Sequence, residues 1–284
     1  MGIGPAADGA IGAIAPSSPA ALCRFKPGLG WETGPAASAP QSVMFDLYLP
    51  LCAAHRTAPI TVGHLGQSMD GYIATASGDS YYVTGAENIR HLHRMRALCD
   101  AVLVGARTIA SDDPQLTTRG MAGSNALRIV LDPRRRLACD YRVFQDGQAP
   151  TVLICDERHA RGGPSPGRAE VVGIPAEDGQ LRLDLLLEHL RVRGVSALFV
   201  EGGGATVSSF LQAGLLDRLQ IAIAPLLVGS GRPGIRLAEK QRLMDCLRPP
   251  RRVFRMGQDL LIDCDLRARS DSEPSDDDTL SRVL

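Results

Sequence analysis

The sequence is poor in lysine, in paired cysteines and in long apolar stretches. Its 284 residues include only Lys26 and Lys240 as lysines, so nearly all of the positive charge is arginine. Lys+Arg and Asp+Glu both number 31, and a chain without net charge has no general attraction to nucleic acid or anionic membranes. No apolar run approaches the roughly 18 residues of a membrane span. We therefore expect neither nucleic acid nor a membrane among its partners.

The cysteines also exclude several classes of protein. There are seven, an odd number, and no two have C-x-x-C spacing. This pattern is typical of free thiols in a reducing compartment and argues against a structural zinc site. Because no basic segment precedes the N-terminal apolar residues, the sequence predicts no secretory signal. We expect a cytoplasmic protein that binds no metal.

Composition divides the chain into three parts. Residues 1–57 form a low-complexity leader rich in Ala, Gly, Pro and Ser, with a short apolar segment at 43–52 that could add a strand or a turn to a core. Residues 268–284 are polar and acidic, which predicts a disordered tail because such a segment cannot bury enough apolar surface. This leaves 58–267 for one compact domain.

Strand and helix patterns alternate within 58–267. Strands are predicted at 60–65, 101–104, 128–131, 151–155, 197–200, 219–224, 253–256 and 260–266. Helices are predicted after Thr84, which with Glu87 has the pattern of a capping box, at 183–190 and after 202–204. The alternation predicts an α/β fold with a largely parallel twisted sheet and flanking helices. The last two strands predict a hairpin around Gly257 and hence an antiparallel C-terminal edge.

Three glycines, 202–204, join the buried strand 197–200 to the helix that follows. Such a loop lets backbone N–H groups approach a phosphate at a helix N-terminus. The alternative is a tight turn that needs positive φ. Glu201 lies at the carboxyl end of the same strand, where open α/β sheets bind ligands. It could hold a polar ligand or act in acid/base chemistry, or it could simply be an acid favoured at a helix N-terminus.

Charged residues elsewhere leave similar alternatives. Asp112 and Asp113 precede a proline, which predicts a loop rather than a helix, and with Arg119 they could hold a polyol and an anion or form an exposed turn. Arg96 lies on the apolar face of its helix together with Ile89, Leu92, His93 and Cys99. A buried arginine needs a partner, either an anionic ligand or a carboxylate such as Asp100. The arginines at 134–136 could contact the 2′-phosphate of NADP or form a solvated loop.

Spaced motifs follow one another over about 60–266. They are Ser68-Met-Asp-Gly71, Ser77-Gly-Asp-Ser80, Thr84, Arg94-Met-Arg96, Asp100-Ala-Val-Leu-Val-Gly105, Thr108, Asp112-Asp-Pro-Gln-Leu-Thr-Thr-Arg119 and Glu201-Gly-Gly. In this order they closely resemble the reductase domain of the bifunctional riboflavin-biosynthesis deaminase-reductase. The resemblance implies a dihydrofolate-reductase-like fold, NADPH as hydride donor, usually a homodimer, and reduction of 5-amino-6-(5-phosphoribosylamino)uracil to its ribitylamino form.

The resemblance also implies roles for individual residues. Cofactor contacts are implied for Gly66, Tyr82, Thr108, Asp112, Gly203, Gly204, Ala205, Thr206, Val207, Ser208 and Ser209. Substrate contacts are implied for Ser80, Arg96, Leu116, Arg119 and Glu201, of which Ser80 and the two arginines suit a sugar phosphate. The catalytic candidates are Asp112, Glu201 and His64.

Two positions depart from the family pattern. His64 stands where the family usually has a lysine, and Pro133 where it often has a serine. We expect His64 to titrate near neutral pH and to affect turnover, the alternative being that it points into the core and contacts no ligand. This departure leaves open a pterin or another aminopyrimidine as substrate, and a non-catalytic nucleotide-binding paralogue is a further alternative. The zinc deaminase signature is absent, so the sequence predicts a free-standing reductase.

Overall fold

The structure, a computed structural model, describes residues 2–5, 11–15, 17–26, 30–81, 83–162 and 166–267. Tyr82 and the predicted acidic tail lie outside this part of the chain. The chain divides into two compact units, Met1–Ala58 and Pro59–Leu284.

In the part of the first unit that the structure describes, there are a small antiparallel sheet and one helix. The strands, in the spatial order β2-β1-β3-β4, are β1 (Gly2–Pro5), β2 (Ile11–Ile14), β3 (Cys23–Lys26) and β4 (Gly30–Thr33). Helix α1 spans Ala39–Cys52, so the apolar segment 43–52 is helical rather than the added strand or turn that we expected. The reason is its spacing, because Leu47, Tyr48 and Leu51 are its buried residues and lie on one helical face.

Within its described residues, the second unit contains thirteen strands, six helices and a short 3-10 helix at Leu243–Asp245. The strands are β5 (Ile60–Ser68), β6 (Tyr72–Thr75), β7 (Ala101–Gly105), β8 (Leu127–Leu131), β9 (Thr151–Asp156), β10 (Glu170–Ile174), β11 (Ala176–Glu177), β12 (Gln180–Leu181), β13 (Ala197–Glu201), β14 (Arg218–Ala224), β15 (Gly231–Pro233), β16 (Arg251–Met256) and β17 (Asp259–Asp265). The helices are α2 (Ala86–Leu98), α3 (Ala106–Asp112), α4 (Arg142–Gln145), α5 (Glu157–Ala160), α6 (Leu183–Val192) and α7 (Gly204–Gln212).

Nine strands form one sheet in the order β10-β9-β8-β7-β13-β5-β14-β17-β16. All neighbours from β10 to β14 are parallel, whereas β14 pairs with β17 and β17 with β16 in antiparallel fashion. The predicted fold class is therefore confirmed, including the C-terminal hairpin at the antiparallel edge. Two short ladders, β11-β12 and β15-β6, lie outside this sheet.

The central strands are buried and apolar, as parallel strands covered on both faces require. Residues 101–104 of β7 and 197–200 of β13 are all buried. Helix α6 buries Leu186, Leu187 and Leu190 in the apolar core, as its leucine spacing predicted. This packing fixes the carboxyl ends of β5, β7 and β13 side by side.

Helix α2 differs from its prediction at its start and on its buried face. Its N-cap is Gly85, without a side-chain cap, and no capping box involves Thr84. Thr84 Oγ1 instead accepts a hydrogen bond from Asn88 Nδ2 at 2.9 Å. The buried residues are Asn88, His91, Met95 and Arg96, whereas Ile89 is 42% exposed. The spacing of apolar residues did not predict the buried face of α2, because this helix packs a largely polar face onto the sheet.

The antiparallel edge of the sheet ends in β16, an edge strand rich in arginine. Arg251, Arg252 and Arg255 are all exposed on it. Within the ranges given above, the structure contains no apolar helix of membrane-spanning length.

Candidate functional site

The glycine loop between β13 and α7 is built for close approach of a ligand to the backbone. Gly202 and Gly203 both have φ +62°, so the tight-turn explanation of these glycines holds. A Cβ on Gly204 would lie 2.1 Å from the carbonyl oxygen of Gly234, so that glycine is required by packing. In the described part of the chain, the N–H groups of Gly203, Gly204 and Ala205 have no acceptor. Free N–H groups at a helix N-terminus are able to bind an anion.

Two threonine hydroxyls border this loop. A Cβ on Gly203 would lie 3.0 Å from Thr108 Oγ1 and 3.7 Å from Thr206 Oγ1. A Cβ on Gly105, at the end of β7, would lie 2.4 Å from Thr206 Oγ1. Thr108, Thr206 and the glycine loop therefore come together, as the resemblance implies for a cofactor cradle.

Three of the implied cofactor residues point elsewhere. Val207 is fully buried. Ser208 Oγ accepts a hydrogen bond from the backbone N–H of Arg236 at 2.8 Å, and Ser209 Oγ donates to the carbonyl of Ala205 at 2.9 Å. Of the implied cofactor residues on α7, those up to Thr206 therefore keep their polar groups available for a ligand.

Arg96 and Glu201 bind each other. Arg96 Nε donates to Glu201 Oε2 at 2.7 Å and Arg96 Nη2 to Glu201 Oε1 at 2.5 Å. Arg96 Nη1 donates to the carbonyl of Thr117 at 3.1 Å. The structural partner of Arg96 is thus Glu201 and not Asp100, which accepts the backbone N–H groups of Ser196 and Ala197. A helix residue and a strand-end residue are joined by a bidentate ion pair.

The remaining implied substrate residues differ in how exposed they are and in what they contact. Leu116 is 2% exposed and has φ +55°, so its side chain is buried. Arg119 is exposed; its Nη2 donates to Gln115 Oε1 at 2.6 Å. His93, interpreted above as a core residue, is half-buried with Nδ1 3.1 Å from the Thr117 carbonyl and 3.2 Å from Arg119 N. Ser80 is half-buried in the turn that follows β6.

Asp112 is the last residue of α3, so the prediction that it lies in a loop was wrong. Pro114 restricts only the residue before it, and Asp113 ends the helix with φ +37°. Asp113 accepts two hydrogen bonds from Arg142. Partial desolvation raises the pKa of the Asp112 carboxyl, and the charge of Arg232 opposes that shift.

His64 lies in the core, where it contacts other protein side chains. It is 2% exposed, and its Nε2 lies 3.0 Å from Asn88 Oδ1. Its ring centroid is 5.3 Å from that of His91. Burial lowers the pKa of His64 to about 4, against the opposing effect of the hydrogen bond that its Nε2 donates to Asn88 Oδ1. The expected titration near neutral pH is therefore wrong, because the buried site disfavours the imidazolium.

Gly66 lies on the same face of β5 as His64, as strand alternation predicted. A Cβ there would lie 2.9 Å from Thr84 Cγ2 and 3.5 Å from Asn88 Nδ2. Close packing against the segment at the start of α2 therefore accounts for this glycine.

The Ser68-Met-Asp-Gly71 motif holds two loops together. Asp70 accepts hydrogen bonds from Ser68 Oγ at 2.5 Å and from the N–H groups of Val228 and Gly229 at 3.1 and 2.6 Å. The hydrogen bond from Ser68, ahead of the backbone donors, lowers the pKa of Asp70. The motif is structural in this chain, since it fixes the loop after β14 to the turn after β5.

A cavity lined by arginines lies at the carboxyl ends of β8 and β9. From the sequence, only the arginines at 134–136 were predicted as possible phosphate contacts there. A cavity of about 280 Å³ is lined by Arg134, Arg135, Leu137, Cys139, Leu153, Arg158, His159, Arg161, Gly162 and Pro166. Arg135 builds its wall, because Nη1 donates to the carbonyls of His159, Ala160 and Gly162. Arg158 pairs with Asp156, whereas in the described part of the chain Arg134 and Arg161 have no partner. Arg158 and Arg161 follow a different strand from Arg134, so sequence spacing could not group them.

Metal ligands are not grouped in the part of the chain that the structure describes. No three His, Cys, Asp or Glu side chains come together there in a way that could hold an ion.

Comparison with known proteins gives a consistent family. Residues 60–253 match the model of the RibD C-terminal domain. A 2,5-diamino-6-ribosylamino-4(3H)-pyrimidinone 5′-phosphate reductase of Methanothermobacter thermautotrophicus is 36% identical, over 72% of this chain and 97% of the relative. The riboflavin biosynthesis protein RibD of Aquifex aeolicus is 32% identical over 69% of this chain. The match spans only 54% of that RibD protein.

Solved structures give the same fold. A deaminase/5-amino-6-(5-phosphoribosylamino)uracil reductase of Thermotoga maritima matches with a TM-score of 0.61 and 25% identity, over 80% of this chain and 60% of that one. The Saccharomyces cerevisiae riboflavin biosynthesis reductase Rib7 matches with a TM-score of 0.62, over 78% of this chain and 97% of that one. At 18% identity, this second likeness shows the fold alone.

Proposed function

Because the chain belongs to the RibD C-terminal domain family of reductases, we propose that it reduces a phosphorylated ribosylamino-pyrimidine of riboflavin biosynthesis with NADPH. The observation that supports this most directly is the juxtaposition at the carboxyl edge of the sheet. Three unpaired N–H groups at α7 can hold a pyrophosphate, and Glu201 lies at the end of the same strand, next to them.

Two substrates fit the family. The free-standing relative is named for a 2,5-diamino-pyrimidinone phosphate, and the bifunctional one for 5-amino-6-(5-phosphoribosylamino)uracil. They differ at one ring carbon, which carries an amino group in the first and an oxygen in the second. The free-standing relative is covered over 97% of its length, which favours the diamino compound, while the uracil remains the substrate implied by the sequence motifs.

The chemistry assigned to the protein side chains is positioning and proton supply. NADPH, when bound, supplies the hydride that reduces the sugar carbon attached to the amine. Glu201, held at both oxygens by Arg96, presents a fixed acceptor to substrate hydroxyl or amine groups. Asp112, whose pKa is raised by desolvation, is the candidate that supplies the proton. His64 is removed from the catalytic candidates because it is buried among protein side chains.

The deciding experiment follows NADPH oxidation with both pyrimidines and with a dihydropterin in parallel. We expect turnover of at least one phosphorylated pyrimidine and none of the pterin. Asp112→Asn should reduce kcat far more than it weakens NADPH binding, and Ser209→Ala serves as an exposed control on α7. Turnover of the pterin alone would replace the proposed substrate, and failure to bind NADPH would end the reductase assignment.

The arginine-lined cavity supports NADPH rather than NADH as the donor. Strands are about 4.8 Å apart, so the ends of β8 and β9 lie roughly 10–14 Å from the glycine loop at the end of β13. A dinucleotide with its pyrophosphate on α7 and its adenosine directed along this edge would bring its 2′-phosphate toward Arg134 and Arg161. Arginine suits this group because its planar fork matches a phosphate.

A matched pair of variants tests the cavity. Arg134→Ala should weaken NADPH binding by about 10-fold or more while leaving NADH unchanged, since a hydrogen bond to a charged group contributes roughly 1.5–3 kcal/mol. Arg136→Ala, an exposed neighbour outside the cavity lining, is the control. Equal losses for both nucleotides would place the 2′-phosphate elsewhere.

We also propose a homodimer in a reducing cytoplasm. Exposed apolar side chains follow β14, with Leu227 71%, Leu243 79%, Met244 73% and Leu247 65% exposed. Exposed apolar side chains of this kind suit contact with a second copy of the chain. Light scattering of wild type and Met244→Glu tests the dimer, with a monomeric variant as the expected result. The compartment is inferred from the odd, unpaired cysteines of the sequence.

A further inference from the structure

The short strand β15 places an arginine at the carboxyl edge of the sheet. It pairs with β6 so that Arg232 lies opposite Ala74. The carbonyl of Gly234, just after β15, approaches Gly204 so closely that a Cβ there would lie 2.1 Å from it. Arg232 therefore lies between the glycine loop at α7 and the turn that follows β6.

The guanidinium of Arg232 covers that turn. A Cβ on Gly78 would lie 2.5 Å from Nη2 and 3.3 Å from Nη1 of Arg232. Gly78 also has φ +101°, which disfavours any side chain. The backbone of this turn and the arginine thus fit directly against each other, two residues before Ser80.

Arg232 also faces the end of α3. Its charge acts on the Asp112 carboxyl, although no ion pair or hydrogen bond of Arg232 is found within the described residues. Its side chain is exposed. Arg232 is therefore a cation near three segments of the proposed site, with donors that the described residues do not occupy.

We propose that Arg232 binds a phosphoryl group of one of the two ligands in this site. The proposal rests on the proposed function, in which both ligands carry phosphate. The resemblance assigns Arg96 to the sugar phosphate, but its Nε and Nη2 already donate to the Glu201 carboxylate. Arg232 has its fork open, and guanidinium–phosphate contacts are frequently bidentate. The phosphoryl group belongs either to the cofactor pyrophosphate or to the 5′-phosphate of the substrate.

Equilibrium binding of each ligand to wild type and variants separates these sources. The dissociation constants of NADPH and of the phosphorylated pyrimidine are measured separately, by fluorescence and by calorimetry, together with KM for each. Arg232→Ala removes the charge and the fork, and Arg232→Lys keeps the charge alone and serves if alanine lowers the Tm. Arg191→Ala is the control, because Arg191 lines a small cavity with Ile60 and Leu198 at the opposite edge of the sheet.

We expect Arg232→Ala to weaken one ligand by about 10- to 150-fold, the range for a lost hydrogen bond to a charged group. Arg232→Lys should recover part of that loss. A loss confined to NADPH assigns Arg232 to the pyrophosphate, and a loss confined to the pyrimidine assigns it to the substrate phosphate. Unchanged affinity for both, in a protein whose wild type binds both and turns over, overturns the role of Arg232 and leaves the reductase assignment intact. A wild type that binds neither ligand overturns both.

Discussion

Two groups of arginines in the second unit differ in what occupies their donors. Arg96, Arg128 and Arg218 are at most 9% exposed and are bound to carboxylates. Arg134, Arg161 and Arg232, at the carboxyl edge of the sheet, are exposed and have no ion-pair partner among the described residues. Buried cations must be paired within the protein, whereas exposed ones can remain hydrated and are available to bind a ligand. Exposure and pairing, rather than residue type, therefore separate scaffold arginines from candidate ligand-binding arginines in this chain.

The largest expected effect is on stability, at Arg128. Its Nη1 donates to Asp146 at 2.8 Å, its Nη2 to the Ala149 carbonyl at 2.7 Å and its Nε to Thr151 Oγ1 at 2.8 Å. Arg128→Ala should lower the free energy of unfolding by about 3–5 kcal/mol, because a buried pair loses one partner. Urea unfolding measures this, with exposed Arg134→Ala expected within about 0.5 kcal/mol of wild type. Equal effects would contradict the division into two groups.

Acid should destabilise the protein through two buried histidines. Burial lowers the pKa of His64 to about 4 and of His91 to about 3. Between these values and the unfolded pKa near 6.5 the unfolded chain binds more protons, so stability falls as pH decreases through this window. Each histidine contributes up to about 1.4 kcal/mol per pH unit.

Urea unfolding at pH 7 and pH 5 measures this acid sensitivity. His64→Gln should reduce the loss at pH 5 relative to wild type, and exposed His159→Gln should leave it unchanged. A loss that is identical in all three proteins would show that His64 is not buried in the neutral form. The same measurement distinguishes a buried histidine from one that faces a ligand.

Arg96 and Arg119 provide a smaller contrast within the proposed substrate site. Arg96→Ala should cost about 2–3 kcal/mol, because the Glu201 carboxylate, 12% exposed, loses its partner. Arg119→Ala should cost less than about 0.5 kcal/mol, since its side chain is exposed. Both should raise KM for the phosphorylated substrate more than KM for NADPH. A stable Arg96→Ala protein with an unchanged KM would mean that the pair with Glu201 contributes to neither property.

The smallest effect is expected from removing the first unit. A chain that begins at Pro59 retains the whole nine-stranded sheet, and we expect its Tm and NADPH affinity to match the full chain. The cut is placed at the division between the two units, after Ala58, because a cut after residue 40 would fall inside α1. Loss of folded protein on deleting 1–58 would show that the sheet depends on the first unit.

Sequence patterns predicted the central sheet because strands such as β7 and β13 are continuous apolar segments. The hairpin at Gly257 and the leucine face of α6 were also predictable, since each has a local signal. Helix α2 was not, because its buried face carries Asn88 and His91, which no apolar period reveals. Two of their partners, His64 and Gln220, come from distant strands.

The candidate site shows the same limit. The glycine loop, Thr108 and Glu201 could be placed on one sheet edge from strand order alone. The pairing of Arg96 with Glu201 could not, because these residues are 105 positions apart. The positions of the arginine cavity and of Arg232 likewise depend on contacts between loops, and the spacing of residues along the sequence does not predict those contacts.

The edge strand β16 has a consequence for edge-to-edge aggregation of the sheet. An exposed strand edge offers unpaired N–H and carbonyl groups to any other strand. Arg251, Arg252 and Arg255 lie along this edge, and the β16 of a second molecule would bring the same three charges against them. Repulsion of like charges therefore disfavours continuation of the sheet from molecule to molecule. Replacing these arginines with neutral residues should allow strands of other molecules to pair with β16. We expect this pairing to appear as concentration-dependent fibrillar aggregation.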